Sequence, residues 1–133
     1  IRAMKILIVD DDDLNVQILK EILEDNDYKT VVANDGMEAL SAIVRNRDIR
    51  VILLDRMMPK MNGMEFIKVL GDHPIAAKIA VIFQTAANQP KDVVDGLSTG
   101  AFYYLTKPFE KDILLSVVHS ALQELNNRGV DIS

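Results

Sequence analysis

The chain contains no cysteine among its 133 residues. A disulfide framework, a thiolate metal site and a cysteine nucleophile are therefore excluded, and an intracellular, cytoplasmic location is expected. Basic residues are also scarce: 15 Lys and Arg stand against 20 Asp and Glu, for a net charge of −5. This balance argues against a basic face that binds nucleic acid or an anionic membrane. No apolar run approaches the ~20 residues of a membrane span, and no signal peptide is recognisable before the first strand.

The remaining composition is that of an ordinary folded domain. Hydrophobic residues make up 49% of the chain and charged residues 26%, which argues against disorder. We expect one domain over residues 4–126. Residues 1–3 are expected to be a cloning scar before Met4, and residues 127–133 a polar tail that frays or begins a linker.

Short apolar runs alternate with stretches of helical spacing. The predicted strands cover residues 5–9, 29–33, 51–54, 79–83 and 101–105. The first and last predicted helices carry apolar residues on one side: Leu14, Ile18 and Ile22 with Leu19 and Leu23, then Ile113, Val117, Ala121 and Leu125 with Leu114, Val118 and Leu122. Continuous apolar strands separated by helices predict an α/β fold, a doubly wound five-stranded parallel sheet with five helices.

Polar residues follow four of the predicted strands. Asp10 to Asp13 follow the first, Asp55 the third, Thr85 the fourth and Lys107-Pro108 the fifth. Parallel strands place all of these at one edge of the sheet, where ligands bind in such folds. Several carboxylates suit Mg²⁺, and a carboxylate can act as a nucleophile towards phosphorus. An ammonium group would neutralise phosphoryl oxygens, and a hydroxyl could donate to them.

Five motifs in this order resemble the receiver domain of two-component response regulators. They are Asp10-Asp11, Asp55 with Met58-Pro59 and Asn62-Gly63, Thr85-Ala86, Gly100-Ala101, and Lys107-Pro108-Phe109. The resemblance extends from about residue 5 to about residue 125 and implies a flavodoxin-like topology.

The resemblance implies a phosphorylation site and a cation site. Asp55 would accept a phosphoryl group from a phosphohistidine on a sensor histidine kinase or a histidine phosphotransfer protein. Asp11, Asp55 and the backbone carbonyl of Met57 would bind Mg²⁺ directly, and Asp10 mostly through water. Thr85 and Lys107 would bind the phosphate. The domain would catalyse its own phosphorylation and a slow autodephosphorylation, whereas Asp12 and Asp13 would only cap and charge the first helix.

The resemblance also implies a conformational switch. Thr85 would move towards the phosphate and Tyr104, the switch aromatic, would turn inward. An output domain or effector would bind the face formed by the helix after strand four, strand five and the last helix. The Lys107–Pro108 bond is expected to be cis. Met57 and Ala87 stand where the family tunes dephosphorylation, and because neither side chain can orient a water we expect a long-lived phosphoryl group.

Other functional classes fit the sequence less well. A flavin-binding relative would need a glycine- and hydroxyl-rich phosphate loop where four aspartates stand. A haloacid-dehalogenase-like phosphatase would need Thr or Val within its first motif, and an EF-hand would need alternating acids. A receiver that acts as a scaffold without phosphorylation stays open. Phe102-Tyr103 replaces the two acids that many receivers have there, which argues against a dimer held by charged contacts and against that type of DNA-binding output.

Overall fold

The computed structural model describes residues 3–55, 63–86 and 102–133. Five strands form one sheet: β1 (Lys5–Val9), β2 (Lys29–Ala33), β3 (Ile49–Asp55), β4 (Ala80–Ala86) and β5 (Phe102–Lys107). Their order is β2-β1-β3-β4-β5 and every pairing is parallel. The predicted doubly wound, flavodoxin-like sheet is confirmed.

Four α-helices and one short 3₁₀ helix connect the described strands. They are α1 (Asp13–Asp25), α2 (Gly36–Arg45), α3 (Gly63–Gly71), the 3₁₀ helix (Pro74–Lys78) and α4 (Lys111–Asn127). A further helix is predicted between strands four and five, but residues 87–101 lie outside the described part of the chain. None of the described helices has the length and apolar character needed to cross a bilayer.

The core has two layers, one on each face of the sheet. Helices α1 and α4 cover one face with buried residues that include Leu19, Leu23 and Val118, and we name this layer the α1/α4 core. Helices α2 and α3 cover the other face with residues that include Ile43 and Phe66, the α2/α3 core. Successive strand residues point to opposite faces, so the apolar strands contribute buried side chains to both layers.

Strands β3, β4 and β5 continue further towards their carboxyl ends than predicted. Asp55 is the last residue of β3 and pairs with Gln84, and Lys107 is the last residue of β5 and pairs with Ala86. The apolar runs end earlier because the last ladder positions carry polar side chains. Backbone hydrogen bonding, which does not depend on side-chain polarity, extends each strand to the edge.

The predicted apolar stripe of α1 is rotated relative to the observed one, whereas the stripe predicted for α4 is confirmed except at its first residue. Leu14 and Ile18 are 71% and 43% exposed, and Ile113 at the start of α4 is 52% exposed. The buried side of α1 is formed by Leu19 and Leu23 instead. Apolar residues at i and i+4 define a row along a helix, but how the helix packs on the sheet decides which row is buried.

The last residues of the chain were expected to fray, but in the structure they pack against the domain. The backbone nitrogen of Met4 donates to the carbonyl of Ser133 at 2.9 Å, and Nε of Arg50 donates to the carbonyl of Asp131 at 2.9 Å. Val130 and Ile132 are partly buried against the α1/α4 core. This segment therefore packs on the domain at the amino ends of the strands, opposite the carboxyl-end edge.

Candidate functional site

The chain reverses its direction of winding between β1 and β3. From β1 it passes to β2 at one edge of the sheet, and then crosses to β3 on the other side of β1. Ligands in doubly wound sheets bind at the carboxyl ends of the strands beside such a point. Asp10 directly follows β1 and Asp55 ends β3, so these two carboxylates stand at this position.

Three carboxylates converge here. One oxygen from each of Asp10, Asp11 and Asp55 lies within 4.8 Å of the others. At this separation and an effective dielectric constant of about 20, two carboxylates repel each other by roughly 3 kcal/mol. The cluster therefore needs positive charge to be stable with all three groups ionised.

Lys107 supplies part of that positive charge. Its Nζ lies 3.5 Å from Oδ2 of Asp10 and 3.8 Å from Oδ2 of Asp55. Both distances exceed the range of a good hydrogen bond, so the ammonium group is held electrostatically and can turn towards another anion. With one ammonium and three carboxylates the formal charge of the cluster is −2, which a divalent cation would neutralise.

Asp10 is the most enclosed member of the cluster, with no exposed surface. Its Oδ1 accepts from the backbone nitrogen of Asp12 at 3.0 Å, and its Oδ2 accepts from Nδ2 of Asn15 at 2.5 Å. Such donors replace the hydration that a carboxylate loses on burial. The same donors fix the direction in which the carboxylate points.

Asp12 and Asp13 have the structural roles at the start of α1 that were expected of them. Asp12 is the N-cap of α1, and its side chain accepts from the backbone nitrogens of Leu14 at 3.1 Å and Asn15 at 3.4 Å. Asp13 places a negative charge in the first turn of the helix, where the helix dipole favours it. The four consecutive aspartates thus divide into two site residues and two helix-start residues.

The family comparison agrees with this arrangement. The family described as the response regulator receiver domain matches residues 6–119, which is most of the chain. The chain belongs to the response regulator receiver family. As a receiver domain, it is a phosphorylatable signalling switch of two-component systems.

Individual relatives support the assignment. The transcriptional regulatory protein CpxR of Escherichia coli strain K12 is 40% identical over 119 residues, covering 90% of this receiver and 49% of CpxR. The probable transcriptional regulator ycf29 of Pyropia yezoensis is 34% identical over 120 residues, covering 90% of this receiver and 54% of ycf29. This receiver thus spans about half the length of these two curated relatives.

One solved structure of a chemotaxis protein matches over nearly its whole length. The chemotaxis protein CheY4 of Vibrio cholerae superposes with a TM-score of 0.80 at 31% identity. The match covers 89% of this receiver and 98% of the CheY4 chain. The receiver fold accounts for nearly all of the CheY4 chain.

The other predicted site residues are described to different extents. Thr85 lies in β4, one residue beyond the partner of Asp55, but its side chain lies outside the described part. Met57 and Ala87 also lie outside it. The ring of Tyr104 is partly buried in the α2/α3 core and stacks on Phe83, with ring centroids 6.4 Å apart. The Lys107–Pro108 bond is cis, as predicted.

Two residues near the cluster were not identified from the sequence. Asn15 of α1 contacts Asp10, and it also donates from Nδ2 to Oε1 of Gln84 at 2.8 Å. Gln84 is only 1% exposed. The sequence signal for Gln84 is an amide that stands directly after the apolar run 80–83 and directly before Thr85.

Proposed function

We propose that this receiver is switched by phosphorylation of Asp55, with a phosphohistidine of a histidine kinase or histidine phosphotransfer protein as donor. The observation that carries the proposal is the convergence of Asp10, Asp11 and Asp55 within 4.8 Å beside the ammonium group of Lys107. A carboxylate at the edge of such a cluster can attack phosphorus, because nearby positive charge offsets the repulsion between two anions.

The donor set fits Mg²⁺. Two oxygens bound to one Mg²⁺ at 2.0–2.1 Å lie at most about 4 Å apart, so the observed 4.8 Å requires only small side-chain shifts or one bridging water. Asp10 already accepts from two neutral donors and faces Lys107. This leaves little of its oxygen surface for a cation, which supports binding through water. When bound, Mg²⁺ would neutralise charge on the transferring phosphoryl group.

Each side chain of the site has its own role in the proposed reaction. A carboxylate oxygen of Asp55 attacks phosphorus, the bond from phosphorus to the histidine nitrogen breaks, and an acyl phosphate forms on Asp55. The imidazole leaves with the electron pair of the broken bond. Lys107 turns from the carboxylates towards a phosphoryl oxygen, and the hydroxyl of Thr85 donates to another.

The consequence for partners follows from the position of β5. Lys107 ends this strand and Tyr104 lies three residues before it. An acyl phosphate that draws in Lys107 and Thr85 would shift β4 and β5 and favour burial of Tyr104. An output domain or effector would bind the face formed by the helix predicted after β4, by β5 and by α4, and its binding would depend on this change. We propose no direct nucleic-acid contact by this domain.

Beryllofluoride, a mimic of an aspartyl phosphate, tests the proposal by NMR. With Mg²⁺ and beryllofluoride, amide shifts should change at residues 10–13 and also along β5, including Tyr104. Asp55→Asn should show neither change, because the acceptor oxygen is lost. Equal changes in Asp55→Asn and wild type would refute the assignment. Wild-type spectra without any change would favour a scaffold that works without phosphorylation.

A further inference from the structure

Gln84 occupies an unusual place for an uncharged amide. It lies on β4 between Asp55 of β3 and Leu105 of β5 in the ladder. The preceding residue, Phe83, points into the α2/α3 core. Because side chains alternate along a strand, Gln84 points to the α1/α4 side. Asp10 and Asp55 follow the same alternation and share that side with Gln84.

Asn15 joins Gln84 to the acidic cluster. Its Nδ2 donates one hydrogen to Oδ2 of Asp10 at 2.5 Å and the other to Oε1 of Gln84 at 2.8 Å. An amide nitrogen carries two hydrogens, so both are used. The connection starts in the interior of the sheet and ends on a carboxylate of the cluster.

The charge of Asp10 determines the orientation of both amides. A carboxylate only accepts, so Asn15 must present its nitrogen to Asp10. The same nitrogen then faces Gln84, which must present its oxygen. The Nε2 of Gln84 is consequently turned away, and it is buried without a hydrogen-bond partner among the described residues. A buried donor without a partner is unfavourable for folding, so the orientation of Gln84 has a cost that Asn15 and Asp10 impose.

We propose that Asn15 and Gln84 are positioning residues that hold the buried carboxylate of Asp10 in place for the divalent cation. Asn15 fixes the Oδ2 side of the carboxylate, and Gln84 keeps the amide of Asn15 from rotating away. The inference rests on the cation site of the proposed function. It adds that the cation affinity of this receiver depends on Gln84 of β4, which acts on Asp10 through the amide of Asn15.

Mg²⁺ affinity of the unphosphorylated protein tests the inference. Gln84→Met keeps the length of the side chain and removes its acceptor, whereas Asn15→Ala removes the direct contact. Partners that orient metal ligands typically contribute 10–100-fold to affinity, so we expect the dissociation constant, from NMR titration of residues 10–13, to rise roughly tenfold in Asn15→Ala and severalfold in Gln84→Met. The effects should not add in the double variant, because both act through one amide.

Thermal unfolding separates positioning from a purely structural role. Gln84→Met removes the unpaired Nε2 donor but also the acceptor of Asn15, so the two effects offset each other and the midpoint without Mg²⁺ should stay close to the wild-type midpoint. Gln17→Met, an exposed residue of α1, is the matched control and should leave affinity unchanged. If both Asn15→Ala and Gln84→Met bind Mg²⁺ as tightly as wild type, the inference is wrong. If wild type itself does not bind Mg²⁺, the cation site of the proposed function fails instead.

Discussion

At the level of single residues, Asp10 and Lys107 depend on each other most strongly. Asp10 is fully buried, and Lys107, at 3.5 Å, is its only described salt-bridge partner. Burial of a carboxylate is unfavourable unless opposite charge and hydrogen-bond donors surround it. Lys107 is 29% exposed, so water screens part of the attraction. The interaction is nevertheless stronger than an ordinary surface salt bridge because one partner is completely enclosed.

Replacement of Lys107 by methionine should destabilise the domain when Mg²⁺ is absent. The buried carboxylate would lose its ammonium partner, and we expect the free energy of unfolding in urea to fall by about 1–2 kcal/mol. Saturating Mg²⁺ should reduce the difference, because a bound cation neutralises the same carboxylates. Lys29→Met, at an exposed position on β2, is the control. Equal losses in both variants would show that Asp10 does not depend on Lys107.

The residues that carry the site were largely predictable, and those that support it were not. A parallel sheet brings Asp10, Asp55 and Lys107 to one edge, and the alternation of apolar strands with helices predicts such a sheet. The pairing of Asn15 with Gln84 depends on how α1 is rotated over the sheet. No linear pattern fixes that rotation, and the same limitation explains the exposure of Leu14, which was expected to pack inward.

At the level of helices and strands, α1 exposes an apolar row beside the site. Leu14 and Ile18 are one turn apart and substantially exposed, and the N-cap of the helix directly follows Asp10 and Asp11. The phosphohistidine donor of the proposed function would have to approach Asp55 from this edge of the sheet. We therefore expect the first two turns of α1 to contact the donor protein.

Replacement of both Leu14 and Ile18 by serine should distinguish phosphorylation by a small phosphodonor from phosphorylation by a donor protein. Phosphorylation by a small phosphodonor should stay at the wild-type rate, since the acidic cluster is intact. Transfer from a histidine kinase or phosphotransfer protein that phosphorylates wild type should slow by tenfold or more, as expected for apolar contacts near the centre of an interface. Val44→Ser on α2 is the control, because Val44 is 67% exposed on the other face. An unchanged transfer rate in the double variant would exclude α1 as the contact surface.

Strand β5 is tied to α4 by Tyr103. Its hydroxyl donates to a carboxylate oxygen of Glu124, whose other oxygen accepts from Arg128 at 2.6 Å. Burial, followed by the hydrogen bond to Glu124 and the charge of that carboxylate, raises the pKa of Tyr103 from 10.0 to about 12. Tyr103 thus forms a polar connection between two elements of the proposed output face.

The raised pKa predicts a specific dependence of stability on pH. Between pH 10 and 12 the folded state keeps the phenol proton that the unfolded chain has lost, so the free energy of unfolding falls as pH rises through this window. Below pH 10 the phenol of Tyr103 is protonated in both the folded and the unfolded state, so Tyr103 does not contribute to the pH dependence of the free energy of unfolding. Urea unfolding should therefore show a smaller fall between pH 10 and 12 in Tyr103→Phe than in wild type. Tyr28→Phe is the control and should keep the fall due to Tyr103; equal slopes in Tyr103→Phe and wild type would contradict the assignment.

At the level of the whole molecule, the two ends of the sheet have different roles. The carboxyl ends of the strands hold the charged cluster, whereas residues 130–133 pack at the amino ends against Met4 and Arg50. The polar composition of this segment suggested fraying. Its hydrogen bonds to Met4 and Arg50 join residues about 80 or more positions apart in sequence, and such pairings leave no periodic signal in the segment itself.

Removal of residues 130–133 should destabilise the domain without affecting the site. The loss of two partly buried apolar side chains and three hydrogen bonds to the rest of the domain should lower the free energy of unfolding by about 1–3 kcal/mol. Mg²⁺ affinity should not change, because the site is at the opposite edge. Asp131→Ala, which keeps the backbone carbonyl bound by Arg50, should be about as stable as wild type. A truncated chain as stable as wild type would show that the packing of this segment does not stabilise the domain.

Intact-mass measurement after incubation with a small phosphodonor tests the central claim most directly. Wild type with Mg²⁺ should gain the mass of one phosphoryl group, which peptide analysis should locate on Asp55. Wild type without divalent cations and Asp55→Asn with Mg²⁺ should both stay unmodified, because one lacks neutralising charge and the other lacks the nucleophile. A phosphoryl group on any other residue, or equal modification of Asp55→Asn, would contradict the account.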